Sequence, residues 1–332
     1  MIDLIFKLLR LLEPEISHVL SLKLLKLAHN IGLLRLLSLS YSDNHFSEKN
    51  KFSYEKLKFK NRLGIAAGID KNGDYIDALG ALGFGFLEIG TVTPKPQLGN
   101  PKPRVFRDQK NSSVINRLGF NNKGVKYVAH NLKKRNYSGV IGANIGANKN
   151  SVGQDRINDY IICIKELHQY VDYFTINISS PNTPNLRDLH SKEYISDLLA
   201  SIKHEIEALG FTGPILIKIS PDEQLNVLEN IIQEVKRFRL DGIIATNSST
   251  IRPNKLDKNL QNEEGGLSGK LIYKLSTDIL EKVADKDLLI IGVGGVFSKE
   301  DFKEKISNGA NLVQVYSGFI FKGPSLIKTI LG

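Results

Sequence analysis

The chain has 332 residues, 41% hydrophobic and 24% charged, room for one barrel of roughly 250 residues plus an appendage or for two domains of about 150, and too polar for a polytopic membrane protein. A single cysteine, Cys163, excludes an internal disulfide and any multi-cysteine metal or iron–sulfur site, and no metal is expected. A formal charge of +10 suits an anionic membrane surface or an anionic substrate, and equally plain solubility charge; nucleic acid is not expected, because Lys and Arg are scattered and no Trp offers a stacking platform.

Residues 1–40 are read as a helical segment. Leu or Ile stands at positions 4, 5, 8, 9 and 12 and again at 16, 20, 24, 25 and 27, near helical spacing, with Pro14 separating two short helices. Lys7, Arg10, Lys23, Lys26 and Arg35 interrupt the apolar run, so nothing approaches the roughly 18 uninterrupted apolar residues of a spanning helix. Lys7, Arg10 and Glu13 also break any secretory signal pattern. The pattern fits a segment lying in a membrane interface, and equally an amphipathic hairpin packed on its neighbour. Residues 41–60, polar and Lys-rich, are read as a linker, and 61–332 as the main domain.

From residue 62 onward, eight short apolar runs alternate with helix-like stretches such as 153–170, 191–209 and 222–238. The runs are 63–67, 86–90, 140–144, 173–178, 215–219, 242–246, 288–293 and 312–316. Nearly all-apolar strands separated by helices imply a parallel sheet covered on its faces, and eight such units imply a closed (β/α)8 TIM barrel; an open doubly wound sheet is the alternative. The barrel is preferred because the unusual residues fall at the C-terminal ends of the runs, where a barrel gathers them into one mouth.

At those ends stand Asn144, Asn177, Asn182 and Asn247, uncharged donors and acceptors suited to the edges of a flat heterocycle, with Asn116 and Asn121 able to join from the insert after the second run. Lys71 and Lys218 add positive charge. Gly294, Gly295 and Gly318, with the Ser317 hydroxyl, mark the seventh and eighth ends, where barrels commonly hold a phosphate; a tight turn is the plainer reading of each glycine.

The stretches IAAGIDK at 65–71, EIGTVTP at 88–94, NRLGFNN at 116–122, NISSPNTP at 177–184, GGLSG at 265–269, IGVGG at 291–295 and VYSGF at 315–319 resemble class 2 dihydroorotate dehydrogenases, in the same order and at compatible spacing. The resemblance runs from the N-terminal helices to the last residue. It implies bound FMN and the oxidation of (S)-dihydroorotate to orotate in de novo pyrimidine (UMP) biosynthesis, with a membrane quinone as electron acceptor. By matching motifs it implies FMN contacts from Ala67, Gly68, Lys71, Thr91, Asn144, Asn177, Lys218, Thr246, Gly269, Gly295, Tyr316 and Ser317. Around the substrate it implies Lys71, Asn116, Arg117, Leu118, Gly119, Phe120, Asn177, Asn182, Asn247 and Ser248.

Ser180 is implied as the base for the C5 proton while the C6 hydride passes to flavin N5. A hydroxyl is a weak base, so this assignment needs a loop that excludes water, with Thr183 as a proton relay. Soluble class 1 relatives carry Cys where Ser180 stands; Cys163 is read as core. His18, Arg107 and Tyr316 match positions lining the quinone tunnel, and Ala147 stands where many relatives have Lys. Peripheral association with the cytoplasmic side of a bacterial inner membrane is expected, because neither a spanning helix nor an Arg-rich transit peptide is present. No feature sets the oligomeric state, and a monomer is compatible with all of them. The tRNA dihydrouridine synthases, also flavin barrels, resemble the chain less, and a non-enzymatic membrane-tethered scaffold would hold no yellow cofactor.

Overall fold

The structure is a computed structural model, and it describes residues 9, 11–34, 51–179 and 192–332. Pro14–Asn30 forms helix α1. Pro14 starts this helix, since its missing N–H is no loss there, and the Glu13 carboxylate caps it by accepting from the Glu15 and Ile16 N–H groups. Most of the helix expected before Pro14 lies outside the described residues.

Within the stretch expected to be linker, Phe52–Tyr54 (β1) and Leu57–Phe59 (β2) pair as an antiparallel hairpin. The linker reading therefore does not extend to these residues. Phe59 packs edge-on against Phe86, with ring centroids 5.4 Å apart, so the hairpin plugs the N-terminal end of the barrel.

The chain then runs through β3 (Leu63–Ile65), α2 (Ile76–Gly80), β4 (Phe86–Val92), β5 (Val105–Asp108), β6 (Ser113–Asn116), α3 (Val125–Lys134) and β7 (Val140–Ile145). It continues through α4 (Gly153–Leu167), β8 (Tyr173–Asn177), α5 (Lys192–Ala208), β9 (Ile215–Ile219), α6 (Leu225–Arg237) and β10 (Gly242–Ala245). The last part comprises β11 (Gly266–Gly269), α7 (Tyr273–Val283), β12 (Leu289–Val293), α8 (Lys299–Ser307), β13 (Leu312–Val315), α9 (Ser317–Lys322) and α10 (Ser325–Leu331). Eight strands close a barrel in the order β3, β4, β7, β8, β9, β10, β12, β13, every neighbouring pair parallel. These are the eight apolar runs of the sequence.

Every residue of β4, β7, β8, β9 and β12 is buried, which is why the runs are continuously apolar rather than alternating. Their outer faces meet helix stripes such as Leu228, Ile231 and Val235 of α6, spaced three and four apart. The lower interior is filled by Phe86, Tyr173, Leu216, Ile244, Leu289 and Leu312. Two glycines make room for the large rings: a Cβ on Gly64 would lie 2.4 Å from the Phe86 ring, and one on Gly142 2.0 Å from that of Tyr173.

Three further strands stand outside the barrel. β5 and β6 form a hairpin, and β11 pairs antiparallel with β6, giving a small sheet beside the mouth. Helix α1 packs on this sheet and on α2.

Candidate active site

The C-terminal mouth of the barrel holds a cavity of about 960 Å3, its open side included. Strand ends supply Ala67, Gly68 and Lys71 after β3, Thr91 from β4, Asn177 from β8 and Lys218 from β9. Thr246, Asn247 and Ser248 follow β10, Gly295 follows β12, and Tyr316 and Ser317 follow β13. Gly269 enters from β11, and the insert after β6 contributes Asn116, Leu118, Gly119 and Phe120. Residues spread over more than 250 positions of sequence thus face one space, because every barrel strand points the same way.

Two expected contacts sit elsewhere. Asn144 is fully buried one layer beneath the cavity; its Oδ1 accepts from Thr91 Oγ1 at 2.6 Å and Asn177 Nδ2 at 3.2 Å, so it orients both cavity-lining side chains. Arg117 turns outward. It pairs with Glu263 at 2.7 Å, lies over the Phe106 ring at 4.5 Å and donates to the Pro103 carbonyl, so it braces the insert rather than lining the cavity. Ser180, Asn182 and Thr183 lie outside the described residues.

The floor of the site is built on Glu88, fully buried in β4. Its carboxylate accepts from Asn144 Nδ2 at 2.9 Å, Tyr173 OH at 3.1 Å, Thr175 Oγ1 at 3.1 Å and Gln314 Nε2 at 2.8 Å. Four donors from β7, β8 and β13 compensate the loss of water around one charge. Burial pushes the Lys218 ammonium below its ordinary value, and the Glu88 carboxylate opposes that. No role for Glu88 was drawn from the residue pattern. The available signal was an acidic residue inside an apolar strand, which must find partners wherever it is buried.

A second cavity of about 720 Å3 lies between α1 and the barrel. The three residues expected at a quinone tunnel, His18, Arg107 and Tyr316, all line it, together with Leu22, Val105, Val114 and Phe319. Lys71, Leu118 and Tyr316 line both cavities. Burial, reinforced by the charge of Lys71, pushes His18 down to about 3, so its imidazole is neutral at physiological pH. Burial likewise pushes Lys71 down to about 8, with Glu15 opposing the shift. The helix is latched to the start of β5, beside the mouth, by Glu15, whose two carboxylate oxygens accept from Arg104 Nε at 3.1 Å and Nη2 at 2.6 Å. Gln314, Ser268 and Ile272 also face the first cavity, although the sequence reading gave them no role.

A family model described as dihydroorotate dehydrogenase matches residues 51–332. A dihydroorotate dehydrogenase (quinone) of Psychrobacter arcticus is 43% identical over 327 residues, covering 96% of this chain and 93% of that protein. One of Buchnera aphidicola subsp. Schizaphis graminum is 45% identical, covering 99% and 98%. Among solved structures, DHODH of Eimeria tenella in complex with ferulenol superposes with a TM-score of 0.83 at 31% identity, over 92% of this chain and 89% of that one. A shared barrel, a family match across it and relatives that align nearly end to end place this chain in the dihydroorotate dehydrogenase family.

Proposed function

We propose that this protein oxidises (S)-dihydroorotate to orotate and delivers the electrons to a membrane quinone, with FMN as its resident cofactor. The observation that carries this reading is the pair of cavities meeting at Lys71, Leu118 and Tyr316. The chamber at the barrel mouth, lined by Lys71, Asn116, Asn177, Lys218 and Asn247, is the more polar of the two and the one under α1 is mainly apolar, which suits a polar reductant and an apolar oxidant that reach one cofactor from different sides.

The residues present fit FMN. Gly269 and Gly295 line the mouth at positive φ, and a Cβ on Gly295 would lie 2.6 Å from Tyr273; such glycine turns beside β12 and β13 suit a phosphate held by backbone N–H groups. Among the described residues Gln314 Oε1 and Asn121 Oδ1, buried in the cavity wall, have no hydrogen-bond partner, and they are acceptors suited to the N–H groups of a heterocycle or its substrate. When bound, the flavin supplies a two-electron acceptor for the hydride leaving substrate C6 and a donor to quinone. Lys218, held over the Glu88 floor, places positive charge where a reduced pyrimidine ring carries negative charge. Asn177 and Asn247, joined by an Nδ2–Oδ1 bond of 3.3 Å, present amides to the substrate ring, and Lys71 faces its carboxylate.

Ser180 is assigned as the base that takes the C5 proton. Replacing Ser180 by Ala is expected to abolish bleaching of the flavin band by dihydroorotate while FMN stays bound; reduction at the normal rate would remove Ser180 from the mechanism. Anaerobic bleaching of the wild-type protein by dihydroorotate, with colour restored by a soluble quinone analogue and not by fumarate, tests substrate and acceptor together.

The membrane side of the proposal rests on α1. Ile16, Val19, Leu20, Leu24 and Leu27 are exposed along it, whereas Ser17 and Leu22 are buried against the protein. Among the described residues no helix is long and apolar enough to cross a membrane, so the proposed association is peripheral, through this apolar face.

A further inference from the structure

Lys305 on α8 is a fully buried cation that the reaction outlined above does not use. Its stem starts beside Gly292 of β12, where a Cβ would lie 3.5 Å from the Lys305 Cβ. Its ammonium donates to Ser276 Oγ at 2.7 Å and lies 5.2 Å from the centre of the Tyr273 ring. Among the described residues it has no carboxylate within ion-pair distance: Glu304 accepts from Tyr273 OH, and Asp301 caps α8 by accepting from the Phe297 and Ser298 N–H groups. A buried ammonium served by one hydroxyl and one ring face is costly unless a further negative group offsets it.

That hydroxyl leads to the cavity. Ser276 Oγ, accepting from Lys305, shares its one proton between the Tyr273 carbonyl oxygen at 2.9 Å and that of Gly294 at 3.1 Å, and Gly294 lines the barrel mouth beside Gly295. In a trans peptide the C=O and the following N–H point in opposite directions. Drawing the Gly294 carbonyl back toward Ser276 therefore turns the Gly295 N–H toward the cavity. The Gly294 site itself needs glycine, because a Cβ there would lie 2.6 Å from Ser276 Oγ.

We propose that Lys305 is a positioning residue for the cofactor phosphate: through Ser276 it holds the Gly294/Gly295 turn with its N–H outward, and its buried charge adds positive potential behind that turn. The inference rests on the FMN reading of the cavity. Burial pushes Lys305 down to about 7, opposed by Glu304, Asp278 and Asp301, so a phosphate dianion across the turn would help to keep it protonated.

FMN and riboflavin share the ring system and differ in the phosphate, so their ratio isolates the proposed effect. Stripped protein would be titrated with each, following the quenching of flavin fluorescence. Lys305→Met is expected to weaken FMN by about tenfold and leave riboflavin within about twofold, since a charge acting across two residues favours only the anionic ligand. Equal weakening of both flavins would make Lys305 a packing residue, and no change in either would remove it from the site. If Lys305→Met does not fold, Ser276→Ala decides by the same ratio: selective loss of FMN supports the relay, and unchanged discrimination overturns it. A wild-type protein that bound neither flavin would instead overturn the FMN reading, and the role of Lys305 with it.

Discussion

Lys71 lies where the two cavities meet, and its proton decides how the site treats an anion. With its pKa pushed down to about 8 by burial, the ammonium is charged at neutral pH and is lost as the pH rises through that value. Orotate affinity is therefore expected to fall above about pH 8, and Lys71→Gln should give weak binding with a flat profile, both read by titration of the bound-flavin spectrum. The same displacement has a stability consequence. Between about 8 and the ordinary 10.5 the unfolded chain holds a proton that the folded one does not, so this residue's contribution to stability rises with pH across that window. Glu88 sets a different constraint. Removing its carboxylate strands four donors, Asn144, Tyr173, Thr175 and Gln314, and leaves Lys218 without its compensating charge. Glu88→Ala should lower stability by about 3–5 kcal/mol, measured by denaturant unfolding, as expected when one member of a buried charged network is deleted.

The elements divide into those that build the barrel and those that frame its entrances. Helix α1 covers the second cavity and is tied down by Glu15 to Arg104, with Lys26 also donating to the Asp74 carbonyl at 2.8 Å. Glu15→Gln weakens this latch by removing its charge, a loss of about 2 kcal/mol for charge-assisted hydrogen bonds. The quinone KM is then expected to rise several-fold, while anaerobic bleaching of the flavin by dihydroorotate keeps its rate. A change in both half-reactions would show that α1 shapes the substrate chamber as well. The small sheet of β5, β6 and β11 illustrates what local pattern misses. Its strands are four residues long, and β6 meets β11 from about 150 positions away, so neither alternation nor turn spacing announces the pairing. The hairpin at Phe52–Tyr54 and Leu57–Phe59 was missed for a related reason: with Lys51, Lys56, Lys58 and Lys60 around them, its apolar residues make sense only once Phe86 is above them.

For the molecule as a whole, a cofactor that binds only the folded barrel must stabilise it by mass action. FMN at a hundredfold excess over its dissociation constant is expected to raise the unfolding free energy by about 2.7 kcal/mol, seen as a higher denaturant midpoint, and an unchanged midpoint would count against a resident cofactor. The eight barrel strands were legible in the sequence to within two residues, because strands buried on both faces must be apolar throughout and their helices must be amphipathic. The ring of strand ends was legible too, since a parallel barrel puts every C-terminal end in one mouth, and Lys71, Thr91, Asn177, Lys218 and Tyr316 all face it. Sequence alone thus pointed to the barrel over an open sheet and set polar residues at its strand ends, which follow from residue type and periodicity, while the assignment of those residues to cofactor or substrate came from the motifs' resemblance to a family. Only the tertiary structure decided that Asn144 works from beneath, that Arg117 faces outward to Glu263, that Glu88 anchors the floor, and that Lys305 stands behind the Gly294/Gly295 turn. Those outcomes depend on which distant partners meet a buried polar group, and no local pattern carries that information.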